Sequence, residues 1–277
     1  MALNDAPLGK SSDYPDRYDP ALLFPVPREE NRRRIGIDDG RWPWFGEDLW
    51  QAWEVSWLRA DGVPAVAWAE IRFPAAAPCI VESKSLKLYL NSLNQAVFTS
   101  PQQVADVMIR DLSSASGSAV QVSMLSVDEG GVAEGRPQGY QLIDEETLDD
   151  VTYQYAPESL IVSGGEAGES EVSESLCSHL LKSNCPVTGQ PDWATVMIRY
   201  TGPAIDRKGL LRYIVSFRQK QDFHEHCVET IFTDIMNRCA PKQLMVCARY
   251  TRRGGLDINP WRSTEPEDGA GARLIRQ

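Results

Sequence analysis

The sequence predicts an α+β fold in which two related halves each follow the order ββααββ, with antiparallel sheets packed against helices. Two observations lead to this prediction. Near the start of each half, paired segments of alternating apolar residues are followed by apolar residues at helical spacing. The same order returns after roughly 120–140 residues, which is the pattern of an internal repeat.

The first half opens with a predicted β-hairpin. Residues 49–60 are apolar and rich in tryptophan, and the turn signal Asp61-Gly62 follows them. Residues 65–73 then alternate between small and large side chains, which is typical of a strand with one buried face. Two helices are expected after the hairpin, and the first has apolar residues at helical spacing from Leu86 onwards.

The second helix of this half has a clear start signal, because Ser100 can cap it, Pro101 suits its first turn and Gln103 can close a capping box. Two strands are predicted to complete the half by pairing with each other, at residues 120–124 and 140–143. The second half is predicted to contain strands at residues 172–181 and 194–200, helices near residues 210–215 and 223–239, and strands at residues 244–250 and 256–258.

The repeat divides the chain into two predicted domains, residues 1–145 and residues 146–277. The first begins with a proline-rich arm, in which the run Arg32-Arg-Arg34 is interpreted as solvated. The acidic and glycine-rich stretch at residues 127–168 is expected to connect or flank the two domains.

Composition narrows the classes of protein to which the chain can belong. Among 277 residues, 39 are Asp or Glu and 28 are Lys or Arg, which gives a net charge of −11. This charge argues against general binding of nucleic acid, because neutralising phosphates requires a basic surface. The sequence lacks an apolar run of the about 18 residues that a membrane span needs, and its first residues do not resemble an export signal. A cytoplasmic location is therefore expected.

Cys185 is the candidate nucleophile. It lies in a stretch of turn residues, Ser183-Asn-Cys-Pro-Val-Thr-Gly-Gln-Pro-Asp192, where a thiol tends to be accessible. None of the six cysteines forms a CxxC pair. A loop cysteine is more often structural than reactive, but Asp192 follows across a turn and could donate a proton. Asp192 could also be an ordinary turn residue ahead of the next strand.

The segment Phe223-His-Glu-His226 contains two of the three histidines. Asp222 and Glu225 fit a capping box for the following helix, and this structural role has about the same weight as a functional one. In the functional interpretation, Glu225 binds N–H groups of a heterocycle and His224 orients it or shuttles a proton. Zinc binding by Cys185 and both histidines is disfavoured, because side chains two residues apart on a helix point in different directions.

A second candidate region is the segment Glu82-Ser-Lys-Ser-Leu-Lys-Leu-Tyr89, which opens the first predicted helix. One of its serines can cap the helix, and its two lysines add positive charge to a helix end that favours anions. A phosphate could bind there, although a solvated amphipathic helix explains the same pattern. Arg253 and Gly254 lie in a later turn where glycine permits close approach of a ligand. No G-x-G-x-x-G motif follows a strand, which argues against a Rossmann unit.

Together, residues 82–89, 183–192 and 223–226 resemble the QueF family of NADPH-dependent 7-cyano-7-deazaguanine reductases, in the long form with two tunnelling-fold halves. The similarity extends over nearly the whole chain. It implies reduction of a nitrile to a primary amine with two NADPH, in tRNA queuosine biosynthesis. It also implies a homodimer without a metal, in which residues from both halves build one site.

The resemblance implies a role for each candidate residue. Cys185 would form a covalent thioimide with the nitrile carbon, Asp192 would protonate the nitrogen, and His224 would be a catalytic partner. The expected substrate contacts are Val81, Glu82, Ser83, His224 and Glu225, and the expected NADPH contacts are Ser83, Lys84, Arg253 and Gly254. Two alternatives stay open. One is a zinc-dependent enzyme of the same fold, such as a GTP cyclohydrolase, and the other is a non-catalytic module that binds purine-like ligands.

Overall fold

A computed structural model describes residues 14–37, 43–129, 133–163, 171–269 and 271–277. In these ranges the α-helices are α1 Glu29–Arg34, α2 Ser83–Ser92, α3 Pro101–Ser116, α4 Arg207–Ser216 and α5 His224–Cys239. The β-strands are β1 Pro25–Pro27, β2 Phe45–Leu58, β3 Pro64–Pro74, β4 Cys79–Val81, β5 Gln121–Leu125, β6 Gln141–Leu142, β7 Glu171–Asn184, β8 Pro191–Pro203, β9 Gln243–Tyr250 and β10 Leu256–Ser263. The predicted α+β class, with mainly antiparallel pairing, is confirmed.

The described residues fall into two compact units, and each unit is built from several segments of the chain. The first draws on Met1–Glu30, Glu47–Gly131 and Arg252–Ile258. The second draws on Asn31–Gly46, Val132–Thr251 and Asn259–Gln277. Strand β10 therefore begins in the first unit and ends in the second. The division near residue 145 refers to the repeat along the sequence, and it stays a prediction.

In the first unit, β2 and β3 form the predicted antiparallel hairpin, and β5 pairs antiparallel with β3. Helices α2 and α3 begin where the sequence indicated. Their apolar faces are buried in one core with the hairpin, as shown by Trp50, Leu86 and Met108. The repeat pattern therefore correctly located the hairpin, both helices and β5.

The predicted partner of β5 is wrong. Residues 141–142 form β6, which pairs in parallel with β7 of the second unit, so that Leu142 lies opposite Cys177. Tyr140 and Leu142 pack there against an apolar cluster that includes Met197 and Met245. Burial against this cluster explains the pairing, because apolar area removed from water stabilises the strand wherever the partner lies.

The order predicted for the second half is present along the chain, as β7, β8, α4, α5, β9 and β10. Strands β7, β8, β9 and β10 pair in that order, each antiparallel to the next. The β7–β8 register shifts between Ser178 and Leu181, and the β2–β3 register shifts between Ala52 and Val55. The two bulges lie 178 − 52 = 126 residues apart, which agrees with the predicted repeat.

Each unit also contains a tyrosine–aspartate pair between its two long helices. Tyr89 of α2 donates to Asp111 of α3 at 2.7 Å, and Tyr213 of α4 donates to Asp234 of α5. The tyrosines are 213 − 89 = 124 residues apart and the aspartates 234 − 111 = 123. The same polar pair at matching positions is a second sign of the repeat.

The cap of the first helix differs from the prediction. Glu82, rather than a serine, caps α2, and its carboxylate accepts hydrogen bonds from the backbone N–H groups of Lys84 and Ser85 at 2.8 Å each. The Ser85 hydroxyl instead donates to the Glu82 carbonyl at 2.6 Å. Asp206 caps α4 in the same way by accepting from Gly209 N at 2.6 Å.

Replacing Asp206 by alanine is expected to lower the free energy of unfolding by about 1 kcal/mol, because an orphan N–H of α4 loses its acceptor. Asp206→Asn should retain most of the stability, since asparagine also caps helices. Urea unfolding midpoints of the two variants check this. Equal losses for both would show that the cap bond is not the cause.

The solvated interpretation of the arginine run is wrong for Arg32, whereas Arg33 and Arg34 are exposed as expected. Arg32 is only 2% exposed, and its guanidinium pairs with Glu229 of α5 at 2.7 Å. A buried carboxylate at a distant point in the chain is invisible to local charge patterning. Among the described helices, none is both long and apolar enough to cross a membrane.

Candidate active site

The β7–β8 hairpin carries Cys185 at its end, within the second unit. Ser183 lies opposite Asp192 in the strand register, and the pairing continues where Cys185 N donates to Gln190 O at 2.8 Å. Side chains two residues apart on a strand share a face, as do directly opposite ones. The register therefore places Cys185, Ser183 and Asp192 on one face of the hairpin end.

The expectation that Cys185 is accessible is wrong, since both Cys185 and Asp192 are 4% exposed. The turn folds back on itself, and Gly189 N donates to Cys185 O at 3.0 Å. Gly189 adopts φ +69°, a left-handed conformation that suits glycine and makes so tight a turn possible. A sequence of turn residues predicts the turn, but it does not reveal what covers it.

The other cysteines are poor candidates for a nucleophile. Burial raises the pKa of Cys227 to about 12, and it raises the pKa of Cys177 and Cys239 to about 11. Burial also raises the pKa of Cys79 and Cys247. A thiol with a raised pKa supplies little thiolate at neutral pH, and the thiolate is the reactive form. These five positions therefore fit a structural role.

His224 joins Asp192 at the start of α5. Its Nε2 lies 3.4 Å from Asp192 Oδ1, and its ring stacks on Tyr250 with centroids 3.9 Å apart and planes inclined by 32°. Nε2 is buried and makes no hydrogen bond to the described residues. The structure thus brings a carboxylate and an imidazole together on the protein face that Cys185 shares.

The predicted capping box at α5 is wrong. The helix begins at His224 with Phe223 as its N-cap residue, and Asp222 accepts instead from the adjacent Phe223 N at 3.0 Å. Glu225 lies in the first turn and is 2% exposed. Capping therefore does not explain why this carboxylate is buried, although its negative charge suits the helix N-terminus.

His226 makes contacts different from those of His224. Its Nδ1 lies 3.3 Å from Asp222 Oδ1, and its ring also contacts the Asn31 amide. Within the described ranges, no group of three or more His, Cys, Asp or Glu side chains is arranged to hold a metal ion.

The first unit contains the other predicted residues. Val81 ends β4 opposite Pro25 of β1, and the Glu82 carboxylate that follows it is 1% exposed. Ser83 and Lys84, in the first turn of α2, are half-buried. The cap role of Glu82 still leaves lone pairs on its oxygens, because an ionised carboxylate can accept about four hydrogen bonds.

Arg253 and Gly254 also belong to the first unit, in the turn before β10. Gly254 adopts φ +56°, and a Cβ at this position would lie 3.1 Å from Cε of Lys87. The glycine thus allows the turn to approach α2 closely. A cavity of about 300 Å³ adjoins this contact, and its lining includes Glu54, Lys87, Asn91, Asn94 and Gly254.

Lys87 and two asparagine amides line this cavity together with the Glu54 carboxylate, so that Lys87 could pair with one phosphate of a cofactor. In the sequence, Lys87 was interpreted only as positive charge near the start of the helix, and the asparagines were not predicted to bind a ligand. Lys87 and Asn91 are four residues apart on α2 and lie on one side of the helix, whereas Asn94 follows the end of the helix at Ser92.

Comparisons with known proteins identify the family. Residues 14–124 match a family model described as the N-terminal part of the nitrile reductase 7-cyano-7-deazaguanine reductase. Residues 191–268 match a family model described as a QueF-like protein. A relative from Chromohalobacter salexigens, called NADPH-dependent 7-cyano-7-deazaguanine reductase, is 52% identical over 99% of this chain and 98% of its own. Relatives of the same name include that of Bordetella pertussis, 51% identical over 100% of both chains, and that of Dechloromonas aromatica, 54% identical over 94% of this chain and 90% of its own.

A crystal structure of the archaeosine synthase QueF-Like in the apo form is 16% identical, and it covers 36% of this chain and 99% of that one. Its TM-score of 0.31 is too low to support an argument about the fold.

The residue types at the site indicate a broad class of protein. A cysteine held on one face with a carboxylate and an imidazole is typical of enzymes that use covalent nucleophilic catalysis. The full-length identities then settle which of them it resembles: the chain belongs to the QueF family of NADPH-dependent 7-cyano-7-deazaguanine reductases.

Proposed function

We propose that this chain reduces 7-cyano-7-deazaguanine to 7-aminomethyl-7-deazaguanine with two NADPH, through a covalent thioimide on Cys185, in tRNA queuosine biosynthesis. Its family makes it an NADPH-dependent oxidoreductase that acts on a carbon–nitrogen bond. The observation that carries the residue assignment is the approach of His224 to Asp192 on the face that Cys185 shares.

The residue types suit the chemistry of a nitrile, which is a poor hydride acceptor. The Cys185 sulfur bonds to the nitrile carbon, and the thiol proton reaches the nitrogen by way of Asp192, which gives a thioimide. NADPH supplies one hydride to carbon in each of two reductions. The first gives a hemithioaminal, whose C–S bond breaks to return the thiol and leave an imine. The second converts the imine to the amine, so that the nitrile gains two hydrides and two protons in all.

Burial of the nucleophile is compatible with this substrate. A cyano group is linear and one atom wide, so it needs only a narrow approach to the sulfur. A site with little water also protects the imine from hydrolysis. His224 can return a proton to Asp192 after each transfer, because its Nε2 lies 3.4 Å from the carboxylate.

The substrate ring presents N–H groups that a buried carboxylate can bind. We assign this role to Glu225 in the second unit and to Glu82 in the first, with Val81, Ser83 and His224 as further contacts. A carboxylate is acceptor-only when ionised, which favours a ring edge rich in donors.

We assign the cofactor to the first turn of α2 and the turn before β10. Ser83, Lys84, Arg253 and Gly254 would contact NADPH, and the cavity beside Lys87 supports this assignment. Lys84 and Arg253 are suited to phosphate groups, including the 2′-phosphate that distinguishes NADPH from NADH.

The stoichiometry of the reaction tests the proposed function. Wild-type protein should consume two NADPH for each aminomethyl product, measured by the loss of reduced-nicotinamide absorbance and by chromatography of the product. A ratio of one, or binding without turnover, would overturn the proposal. Stoichiometric zinc in the purified protein would favour the cyclohydrolase alternative.

The assignment of Glu225 to the substrate and that of Lys84 to the cofactor predict different kinetic effects. Glu225→Gln should raise the KM for the nitrile about 10-fold or more, whereas Lys84→Ala should raise the KM for NADPH, because each removes one charged contact. Lys208→Ala is the matched control for the lysine, since it occupies the same position on α4, 208 − 84 = 124 residues later. An exchange of the two effects would contradict the assignment.

We further propose a cytoplasmic homodimer that makes no direct contact with nucleic acid. The net charge of −11 supports the last point. Light scattering should give about twice 30.9 kDa for the dimer, and a monomer that is fully active would contradict it.

A further inference from the structure

We propose that Tyr250 is a positioning residue, whose ring fixes the plane of the His224 imidazole so that Nε2 faces Asp192. The inference deepens the proposed function and rests on it for its catalytic consequence. Nothing in the sequence marked Tyr250, which lies within an apolar strand pattern.

The contact itself leaves the imidazole little freedom. The two ring centroids are 3.9 Å apart with planes inclined by 32°, which is closer than the usual range for aromatic pairs. At the ring edge, Nε2 lies 3.4 Å from Asp192 Oδ1. A rotation of the imidazole out of this plane would break the stack and move Nε2 away from the carboxylate.

Tyr250 is itself held firmly. It ends β9 opposite Ala194 of β8, and Thr251 N donates to Trp193 O at 2.9 Å directly after it. The Gln277 side chain donates to the Tyr250 carbonyl at 3.3 Å, and the tyrosine is 1% exposed. These bonds hold the backbone of Tyr250, and burial of its side chain leaves the ring little room to move aside when the imidazole turns.

The ring, rather than the hydroxyl, provides the effect. The Tyr250 hydroxyl is buried beside the Cys227 thiol and the Ser183 hydroxyl. Burial raises the pKa of this phenol well above its ordinary value, so it stays protonated and transfers no proton at neutral pH. Phenylalanine at position 250 should therefore preserve the orientation of His224, and leucine should not.

Two measurements test the proposal, and the first needs no turnover. The chain has three histidines, so the imidazole signals of ¹³C-labelled protein can be assigned by substitution. The His224 ring protons should be shifted upfield by the stacked ring in the wild type and in Tyr250→Phe, and the shift should be lost in Tyr250→Leu. An unchanged His224 spectrum in Tyr250→Leu would overturn the stacking.

The second measurement is the kinetics of the same variants. Tyr250→Leu should lower kcat about 10-fold with the KM for NADPH unchanged, and Tyr250→Phe should restore it. In a His224→Ala background, Tyr250→Leu should have no further effect, because the group it positions is gone. Phe232→Leu is the control for loss of a buried ring, since Phe232 packs on Trp44 further along α5. Full kcat in Tyr250→Leu, or equal losses in the two tyrosine variants, would overturn the role.

These outcomes separate the inference from the proposed function. If the wild type does not reduce the nitrile, the proposed function is wrong. The NMR shift still tests whether Tyr250 stacks on His224. A normal wild-type rate with no loss in Tyr250→Leu contradicts the inference alone.

Discussion

Replacing Cys185 by alanine is expected to abolish NADPH consumption with 7-cyano-7-deazaguanine, with a loss in kcat of at least about 10³-fold. Without the sulfur, the nitrile is not converted into the C=N bond that accepts hydride. A carboxylate and an imidazole, as in Asp192 and His224, can transfer protons but do not replace a soft nucleophile. Substrate binding should change little, because the proposed ring contacts are Glu225 and Glu82 rather than the sulfur.

Mass spectrometry tests the same step without cofactor. Wild-type protein mixed with substrate alone should gain the whole substrate mass on the peptide that contains Cys185, and Cys185→Ala should gain none. Cys239→Ala is the matched control, because burial at the end of α5 raises the pKa of that thiol to about 11. An adduct on another peptide, or a Cys185→Ala protein as fast as the wild type, would contradict the assignment.

Replacing Glu229 by glutamine should destabilise the protein by about 3–5 kcal/mol. Its carboxylate accepts from Arg32 Nη2 at 2.7 Å and from Arg262 Nη2 at 2.8 Å, and all three side chains are at most 2% exposed. Glutamine removes the negative charge that Glu229 provides to two buried guanidinium groups. An uncompensated buried charge costs far more than a lost surface pair.

Thermal and urea unfolding measure this loss. Glu171→Gln is the control, since the Glu171 pair with Lys242 lies on the surface and should contribute at most about 1 kcal/mol. The unfolding midpoint of Glu229→Gln should fall well below that of the control. Equal midpoints would show that the buried pairs contribute no more than a surface pair.

Much of the fold was predictable from the sequence because the signals are local. Apolar alternation located the two long hairpins, and helical spacing with proline and serine caps located α2 and α3. The repeat located the second half from the first, and the bulges and tyrosine–aspartate pairs recur at the same offset. Such features depend on residues within one turn of helix or one strand.

The failures of prediction share one cause, which is dependence on partners far along the chain. Residues 141–142 join β7 because an apolar cluster lies there. Arg32 is buried because it pairs with Glu229, which lies 197 positions later in the chain. The burial of Cys185 and the stacking of Tyr250 on His224 likewise depend on how separate elements meet.

The sequence by itself determined the fold class, the repeat and the segments that carry the candidate chemistry, because periodicity and turn chemistry are written in neighbouring residues. Only the tertiary structure decided which carboxylate caps α2, which ring contacts His224 and how deeply Cys185 lies. These depend on side chains brought together from distant points of the chain, and their contacts leave no pattern in the order of residues.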